Sequence, residues 1–185
     1  MSAGILIIKD FLTGGAGRSS RAPQNSEAAI DAEGAFEDAI IKQPELAALY
    51  QFWLNKKSSL GKIPCRRDFS PLELPKLLPH IALVDVDDSA DVPEFTFRLC
   101  GTQIAEDCGV DLTGKTWSQF PNSEKMIVRA IRLTQDREPY YFSNVQAKWA
   151  PKNFHHYSVL ALPLSTDGDT VNMILYGIVF HSSLD

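Results

Sequence analysis

Residues 157–180 read YSVLALPLSTDGDTVNMILYGIVF, and this segment predicts the centre of a β-sheet. Asp167-Gly168 is a dipeptide typical of two-residue hairpin turns, and apolar residues fill the segments on both sides of it. A hairpin closed at this turn places Leu164 opposite Val171. Apolar residues do not alternate with polar ones here, as they would if one face were solvated. We therefore expect both faces of the hairpin to be covered.

Three further strands are predicted outside this hairpin core. Alternating or β-branched apolar residues predict strands over Ile81–Val86, Glu94–Leu99 and Tyr140–Trp149. Phe154–Leu164 is predicted as the first strand of the hairpin itself. Between the second and third strands lie a short helix, Thr102–Cys108, and a longer helix that Pro139 ends. The order of helix, two strands, helical insert and three strands predicts an α+β fold with a five-stranded antiparallel sheet.

An N-terminal amphipathic helix is predicted over residues 44–59. Its apolar stripe follows the helical spacing i, i+3, i+4, i+7, namely Leu46, Leu49, Tyr50 and Trp53. This stripe either covers the sheet of its own chain or contacts the same stripe of a second chain in a homodimer interface. Residues 1–36 have the composition of a flexible tail. We therefore expect one domain over residues 37–185.

Composition and charge argue against nucleic-acid binding and against membrane association. The chain has 185 residues and a net charge of -5, which argues against binding to nucleic acid. No apolar run approaches the ~18 residues of a membrane span, so no membrane association is expected. Three cysteines without a C-x-x-C pair favour the reducing cytoplasm.

No motif predicts catalysis or a metal site. The four histidines and three cysteines lack metal-ligand spacing. The chain also lacks a G-x-S-x-G turn and a phosphate-cradling glycine motif. We expect no catalytic residues and no metal. The sequence names no cofactor, and an enzyme that assembles its site in space stays the less favoured alternative.

Four short motifs resemble a family of stand-alone PAS domains common in alphaproteobacteria and formerly described only as a domain of unknown function. They are RDFSP at 67–71, LLPHIALVDV at 77–86, FTFRLCGT at 95–102 and GVDLTG at 109–114. The resemblance implies the same five-stranded sheet with a helical insert. It also implies a sensory role in signal transduction, through a small-molecule ligand, a signalling protein partner, dimerisation or a combination. A protein-interaction scaffold with a filled core is the alternative.

PAS-like pockets form between the insert and the sheet. The resemblance thus implies a ligand pocket there, and its expected lining residues are Ile104, Trp117, Phe120, Ile127, Phe142 and Tyr157. A solid core without a cavity is the other possibility. Arg98, on an otherwise apolar strand, either recognises an anionic ligand or forms an ion pair with Asp85 on the neighbouring strand.

Overall fold

The computed structural model describes residue 40, residues 42–152 and residues 156–181. Within them, antiparallel strands form one sheet in the order β2-β1-β5-β4-β3. The strands are β1 Ile81–Asp87, β2 Glu94–Cys100, β3 Tyr140–Gln146, β4 His156–Leu164 and β5 Met173–His181. The helices are α1 Pro44–Leu60, α2 Thr102–Cys108 and α3 Glu124–Asp136. This confirms the predicted α+β fold with its helical insert and N-terminal helix, whereas the predicted tail 1–36 lies outside the described residues.

The register predicted for the β4–β5 hairpin is wrong by two residues. Leu164 pairs with Met173 and not with Val171. The reason is the Asp167 carboxylate, which accepts hydrogen bonds from the Thr170 amide at 2.8 Å and the Asp169 amide at 2.9 Å, and so holds a longer loop than a two-residue turn. Because side chains alternate with a period of two, this shift leaves the side chains of the two paired strands on their predicted faces. Val171, which precedes the last strand, instead packs in the core opposite to that of Leu164.

Strand β3 also ends earlier than predicted. The sequence pattern extended it to Trp149, but it stops at Gln146. Residues 147–150 form a turn in which the Ala150 amide donates to the Ala147 carbonyl at 3.0 Å.

Both faces of the sheet are covered where the β4–β5 hairpin runs, as predicted, whereas β2 leaves Arg98 and Leu99 exposed. One face, here called the insert face, is covered by α2, α3 and the single 3-10 turn Trp117–Gln119. Its strand residues are Ala82, Val84, Phe95, Phe97, Phe142, Val145, Tyr157, Val159, Ala161, Ile174, Tyr176 and Ile178. The opposite face, here called the helix face, packs under α1. Its strand residues are Ile81, Leu83, Tyr141, Leu160, Leu162, Leu164, Met173 and Leu175.

Helix α1 lies directly on the helix face. A Cβ at Gly177 would lie 2.7 Å from Leu46 Cδ2 and 2.8 Å from Leu49 Cδ2, so the missing side chain allows the close approach. Trp53 Nε1 donates to the Pro163 carbonyl on β4 at 2.9 Å. Gly61 ends the helix with a left-handed φ of 64°.

The α1 stripe is mostly buried within its own chain. Leu46, Leu49 and Trp53 are each 1% exposed, while Tyr50 is half-buried. The structure therefore shows the own-sheet alternative for the first three residues. A dimer that used these side chains would require α1 to leave the sheet, and the dimer interface stays a prediction.

Candidate functional site

The pocket predicted on the insert face is almost filled. The cavity there measures about 30 Å³, and among the predicted residues only Trp117 and Tyr157 line it. That volume holds about two water molecules, whereas small-molecule sites span roughly 300–1,000 Å³. The Trp117 ring explains the filling, since it stacks on Phe95 with centroids 5.0 Å apart and contacts Tyr176 at 5.8 Å.

The other residues predicted for this pocket join the same core without lining the cavity. Ile104, Ile127 and Phe142 are buried in the insert-face core, and Phe120 packs against it. The structure thus brings the predicted aromatic and aliphatic residues together as packing. Among the described residues this face is packed more like the solid core than like the pocket, and the ligand pocket on this face stays a prediction.

The insert-face core holds few polar groups, and one charged residue, Arg129, lines its cavity with the guanidinium 4.0 Å from the centre of the Phe142 ring. The hydroxyls of Tyr140 and Tyr176 lie 3.0 Å apart, and burial raises the pKa of both phenols. Trp149 Nε1 donates to the Tyr157 hydroxyl at 3.1 Å. Trp117 Nε1 is buried without a hydrogen-bond partner among the described residues. A phenol held neutral is a weak base, so this cluster favours packing over proton transfer.

A much larger space lies on the helix face. It measures about 370 Å³ and is bounded by α1, by residues 66–79 and by strands β1 and β2. This space is here called the groove. Its lining residues are Leu49, Arg66, Phe69, Ser70, Leu74, Leu78, Pro79, Ile81, Leu83, Leu99, Cys100, Gly101, Thr102, Leu164 and Leu175. Its size falls within the range of small-molecule sites.

The irregular chain between α1 and β1 forms one wall of the groove. It runs as single 3-10 turns at Arg66–Asp68, Pro71–Glu73 and Leu78–His80. Gly101 fixes the end of this wall, because a Cβ there would lie 2.3 Å from the Pro79 carbonyl oxygen. The Gly101 amide also donates to the Ile81 carbonyl at 2.8 Å. The wall is therefore anchored at the sheet while its short turns leave space beside α1.

The groove is apolar except for a few groups. Arg66 is its one charged lining residue among the described residues, and its Nη1 donates to the Phe69 carbonyl at 2.8 Å. Cys100 borders the groove, but its side chain packs against the insert-face core with Ala82, its partner on β1, and burial raises the pKa of its thiol. Leu78 and Leu99 line the groove while remaining 40% and 42% exposed, so apolar surface reaches solvent at its opening.

Arg98 lies outside both cavities. Its Nε donates to both carboxylate oxygens of Asp85, at 2.8 and 2.9 Å, and the pair is exposed. The structure therefore shows the ion pair that the sequence analysis weighed against an anion site. It does not bring Arg98 together with the aromatic residues.

Sequence analysis missed the groove residues. The available signal was the run of prolines at 64, 71, 75 and 79, which breaks helices across residues that must cover an apolar strand. Short turns with fixed proline φ angles fill space less completely than a continuous helix. The prolines indicate that the segment packed on the sheet is irregular, but they do not predict the size of the space left beside it.

Other reactive groups form no further centre. In the part of the chain that the structure describes, no three His, Cys, Asp or Glu side chains cluster closely enough to hold a metal ion. Buried Ser158 Oγ lies 2.8 Å from His181 Nε2 at the end of β5. Burial raises the pKa of Cys108 to about 12, which keeps its thiol protonated. Among the described residues, no helix has both the length and the apolar character needed to cross a membrane.

Comparison with known proteins identifies a family and structural relatives of this chain. A family model described as PAS domain matches residues 41–179. A crystal structure of a sensory box sensor histidine kinase from Vibrio cholerae is 19% identical in sequence, with a TM-score of 0.41, over 60% of this chain and 90% of that chain. No curated protein matches the chain.

Proposed function

Because this chain belongs to the PAS domain family, which consists in general of sensory and signal-transduction modules, we propose that it senses a small molecule in the groove on the helix face. The family match covers residues 41–179 and therefore includes α1, strands β1 to β4 and all but the last two residues of β5. The groove is formed from residues of the same stretch. The proposed site lies on the opposite side of the sheet from the pocket that the resemblance implied.

The observation that supports this proposal is the difference in volume between the two faces. The groove measures about 370 Å³, whereas the insert-face cavity measures about 30 Å³. A ligand on the insert face would have to displace rings that stack at 5.0 Å, such as Phe95 and Trp117. A ligand in the groove needs no such displacement.

The position of the groove also provides a route for the signal. Leu49 of α1 forms part of its lining, together with Leu83 of β1 and Leu175 of β5. A ligand there would contact the helix and the sheet at the same time. Since a ligand shifts a conformational equilibrium only through its different affinity for the two states, contact with both elements lets it favour one packing of α1. A signalling partner would then detect the position of α1.

A neutral fluorescent probe tests groove binding. N-phenyl-1-naphthylamine should bind the purified chain with increased fluorescence. Leu99→Trp places a larger side chain in the groove lining and should weaken binding about tenfold or more. Leu60→Trp is the matched control, because Leu60 is 40% exposed, similar to Leu99, but does not line the groove. Equal binding by the two variants would contradict the proposal.

Hydrogen exchange tests the route for the signal. Bound probe should slow amide exchange in Pro44–Leu60 more than in Glu124–Asp136, because only the first helix borders the groove. The Leu99→Trp variant should lose this difference. Slowing restricted to residues 124–136 would place the ligand on the insert face.

Protein interaction, including homodimer formation, is the second candidate. It is favoured by exposed leucines on the helix side, since Leu72 is 89% exposed and Leu78 and Leu99 open onto the groove. Native mass spectrometry separates the candidates. A dimer mass that Leu72→Glu abolishes supports an interaction surface, whereas a mass excess that disappears on denaturation supports a bound small molecule. Either mode fits a cytoplasmic module whose three cysteines are free thiols.

A further inference from the structure

The charge in the groove indicates which ligands it would select. Arg66 lines the groove among aliphatic side chains and is only partly exposed. An arginine side chain carries five N–H donors. One of them reaches the Phe69 carbonyl at 2.8 Å, and within the described residues Arg66 forms no ion pair. The guanidinium therefore keeps donors for a ligand.

No carboxylate side chain lines the groove among the described residues. The space thus combines one permanent positive charge with a continuous aliphatic surface. Arginine binds carboxylates through two parallel N–H···O bonds, and partial burial strengthens such a pair. The complementary ligand is an anion with an aliphatic body.

We propose that the groove binds an unbranched aliphatic carboxylic acid. Its hydrocarbon chain would lie among Leu49, Leu83 and Leu175, with its carboxylate on Arg66. This inference rests on the proposed function, because it names the ligand class of the same groove.

Size favours a single-chain acid over a two-chain phospholipid, and charge favours a carboxylate over an alkyl phosphate. The groove holds about 370 Å³, near the lower end of the usual range for ligand sites, which suits one hydrocarbon chain. A carboxylate carries one negative charge, which a single guanidinium matches. A phosphate monoester carries about -1.5 to -2 near pH 7 and would leave charge uncompensated beside apolar side chains.

Ligand length gives the first quantitative expectation. Burying one methylene group should tighten binding about fourfold. Hexanoate, octanoate and decanoate should therefore bind with affinities that rise about 15-fold per two-carbon step until the groove is full. Isothermal titration calorimetry on the full chain measures this series.

The carboxylate is tested by comparing decanoate with decan-1-ol. Arg66→Met should weaken decanoate binding about 10- to 150-fold, as expected for hydrogen bonds to a charged group, and leave decan-1-ol nearly unchanged. Arg66→Lys should restore part of the loss. Arg67→Met is the matched control, because Arg67 is the exposed neighbour and does not line the groove. The control should bind both ligands like the wild type.

Chemical labelling places the ligand. In the Leu99→Cys variant, decanoate should protect residue 99 from iodoacetamide and leave Cys65 unprotected, since Leu99 lines the groove and Cys65 does not. Mass spectrometry of peptides reads both sites in the same sample.

The outcomes separate this inference from the proposed function. If the wild type binds decanoate no more tightly than decan-1-ol, the carboxylate inference is wrong while groove binding stands. That comparison needs no variant, so it decides the question even if Arg66→Met fails to fold. If neither ligand binds and the neutral probe also fails to distinguish Leu99→Trp from Leu60→Trp, the proposed function itself is wrong.

Discussion

The two faces of the sheet are equally apolar but differently covered. On the insert face, aromatic rings interlock at centroid distances of 5.0 to 6.1 Å around Phe97 and Trp117, and a cavity of about 30 Å³ remains. On the helix face, leucines meet a single helix and a proline-rich segment, and about 370 Å³ stays open. The sheet itself does not decide where a ligand fits. That depends on which side chains cover each face.

The nature of the contacts explains the difference. Flat rings bury large areas and fill space in edge-to-face or offset arrangements. Helix α1 approaches the sheet closely at Gly177, where a side chain is missing, and residues 66–79 form separate short turns. The aromatic face is therefore the more tightly packed layer, and the leucine face is the more loosely covered one.

Truncating a side chain on each face should give the largest contrast in stability. Trp117→Ala removes a ring that is 2% exposed and should cost about 3–5 kcal/mol of unfolding free energy. Leu99→Ala, at a residue 42% exposed in the groove lining, should cost about 1 kcal/mol or less because its space is already open. Urea unfolding at neutral pH measures both. Similar losses would mean that the faces do not differ in packing.

The sequence predicts which strand residues point to each side of the sheet. It does not predict how the helices and turns pack on each side. Residues 157–180 showed that both faces are apolar, and the period of two kept that conclusion correct although the register was two residues off. The error came from Asp167, whose carboxylate holds the loop through the Asp169 and Thr170 amides. A two-residue turn signal does not reveal such side-chain bonds.

The residues of the insert core could also be predicted, although their function could not. Trp117, Ile104 and Phe142 were correctly expected between the insert and the sheet. Whether they enclose a cavity depends on ring orientations that no spacing encodes. The groove was missed because Arg66 and Leu99 come together only through the path of residues 66–79.

A pair of glycine substitutions should separate the wall of the groove from its helix. Gly101→Ala places a Cβ 2.3 Å from the Pro79 carbonyl oxygen, a backbone atom that cannot rotate away. It should cost about 2–3 kcal/mol. Gly177→Ala meets only the Cδ2 atoms of Leu46 and Leu49, which can change rotamer, and should cost about 1 kcal/mol. Thermal unfolding measures the loss of stability in each variant. A larger loss for Gly177→Ala than for Gly101→Ala would show that α1 is the more tightly fixed element.

The phenol pair on the insert face should show a smaller, pH-dependent effect. Tyr176→Phe removes the 3.0 Å hydrogen bond to Tyr140 and should cost about 1 kcal/mol at neutral pH. Burial raises the pKa of Tyr176, so the wild type keeps its full stability below the unfolded tyrosine pKa of about 10 and loses it as the pH rises further. The variant has one phenol fewer to ionise, so its deficit should shrink in alkaline solution.

Urea unfolding at neutral and alkaline pH measures this change. Tyr140→Phe should behave in the same way, and the double variant should cost less than the sum of the single changes, because one hydrogen bond is lost only once. A deficit that grows with pH would show that the hydroxyls are solvated.

The smallest effect is expected at Asp167, where the β4–β5 loop meets the chain that leaves α1. The Ser165 amide donates to the Pro64 carbonyl at 2.9 Å, so this loop helps to position the start of the groove wall. Hydrogen bonds from the Ser165 hydroxyl and from the Asp169 and Thr170 amides hold the pKa of Asp167 well below its usual range.

Asp167→Asn should lower stability near neutral pH and matter less in acid. A lowered folded pKa stabilises the fold above the unfolded carboxyl pKa of about 3.9, and this contribution is lost as the pH falls toward the folded value. The gap between wild type and variant should therefore close during acid unfolding. Asp88→Asn, in the exposed β1–β2 turn, is the control and should leave acid unfolding unchanged from the wild type. A gap that persists in acid would mean that the Asp167→Asn variant has lost a contact that does not depend on charge. The loop would then hold the groove wall through geometry alone.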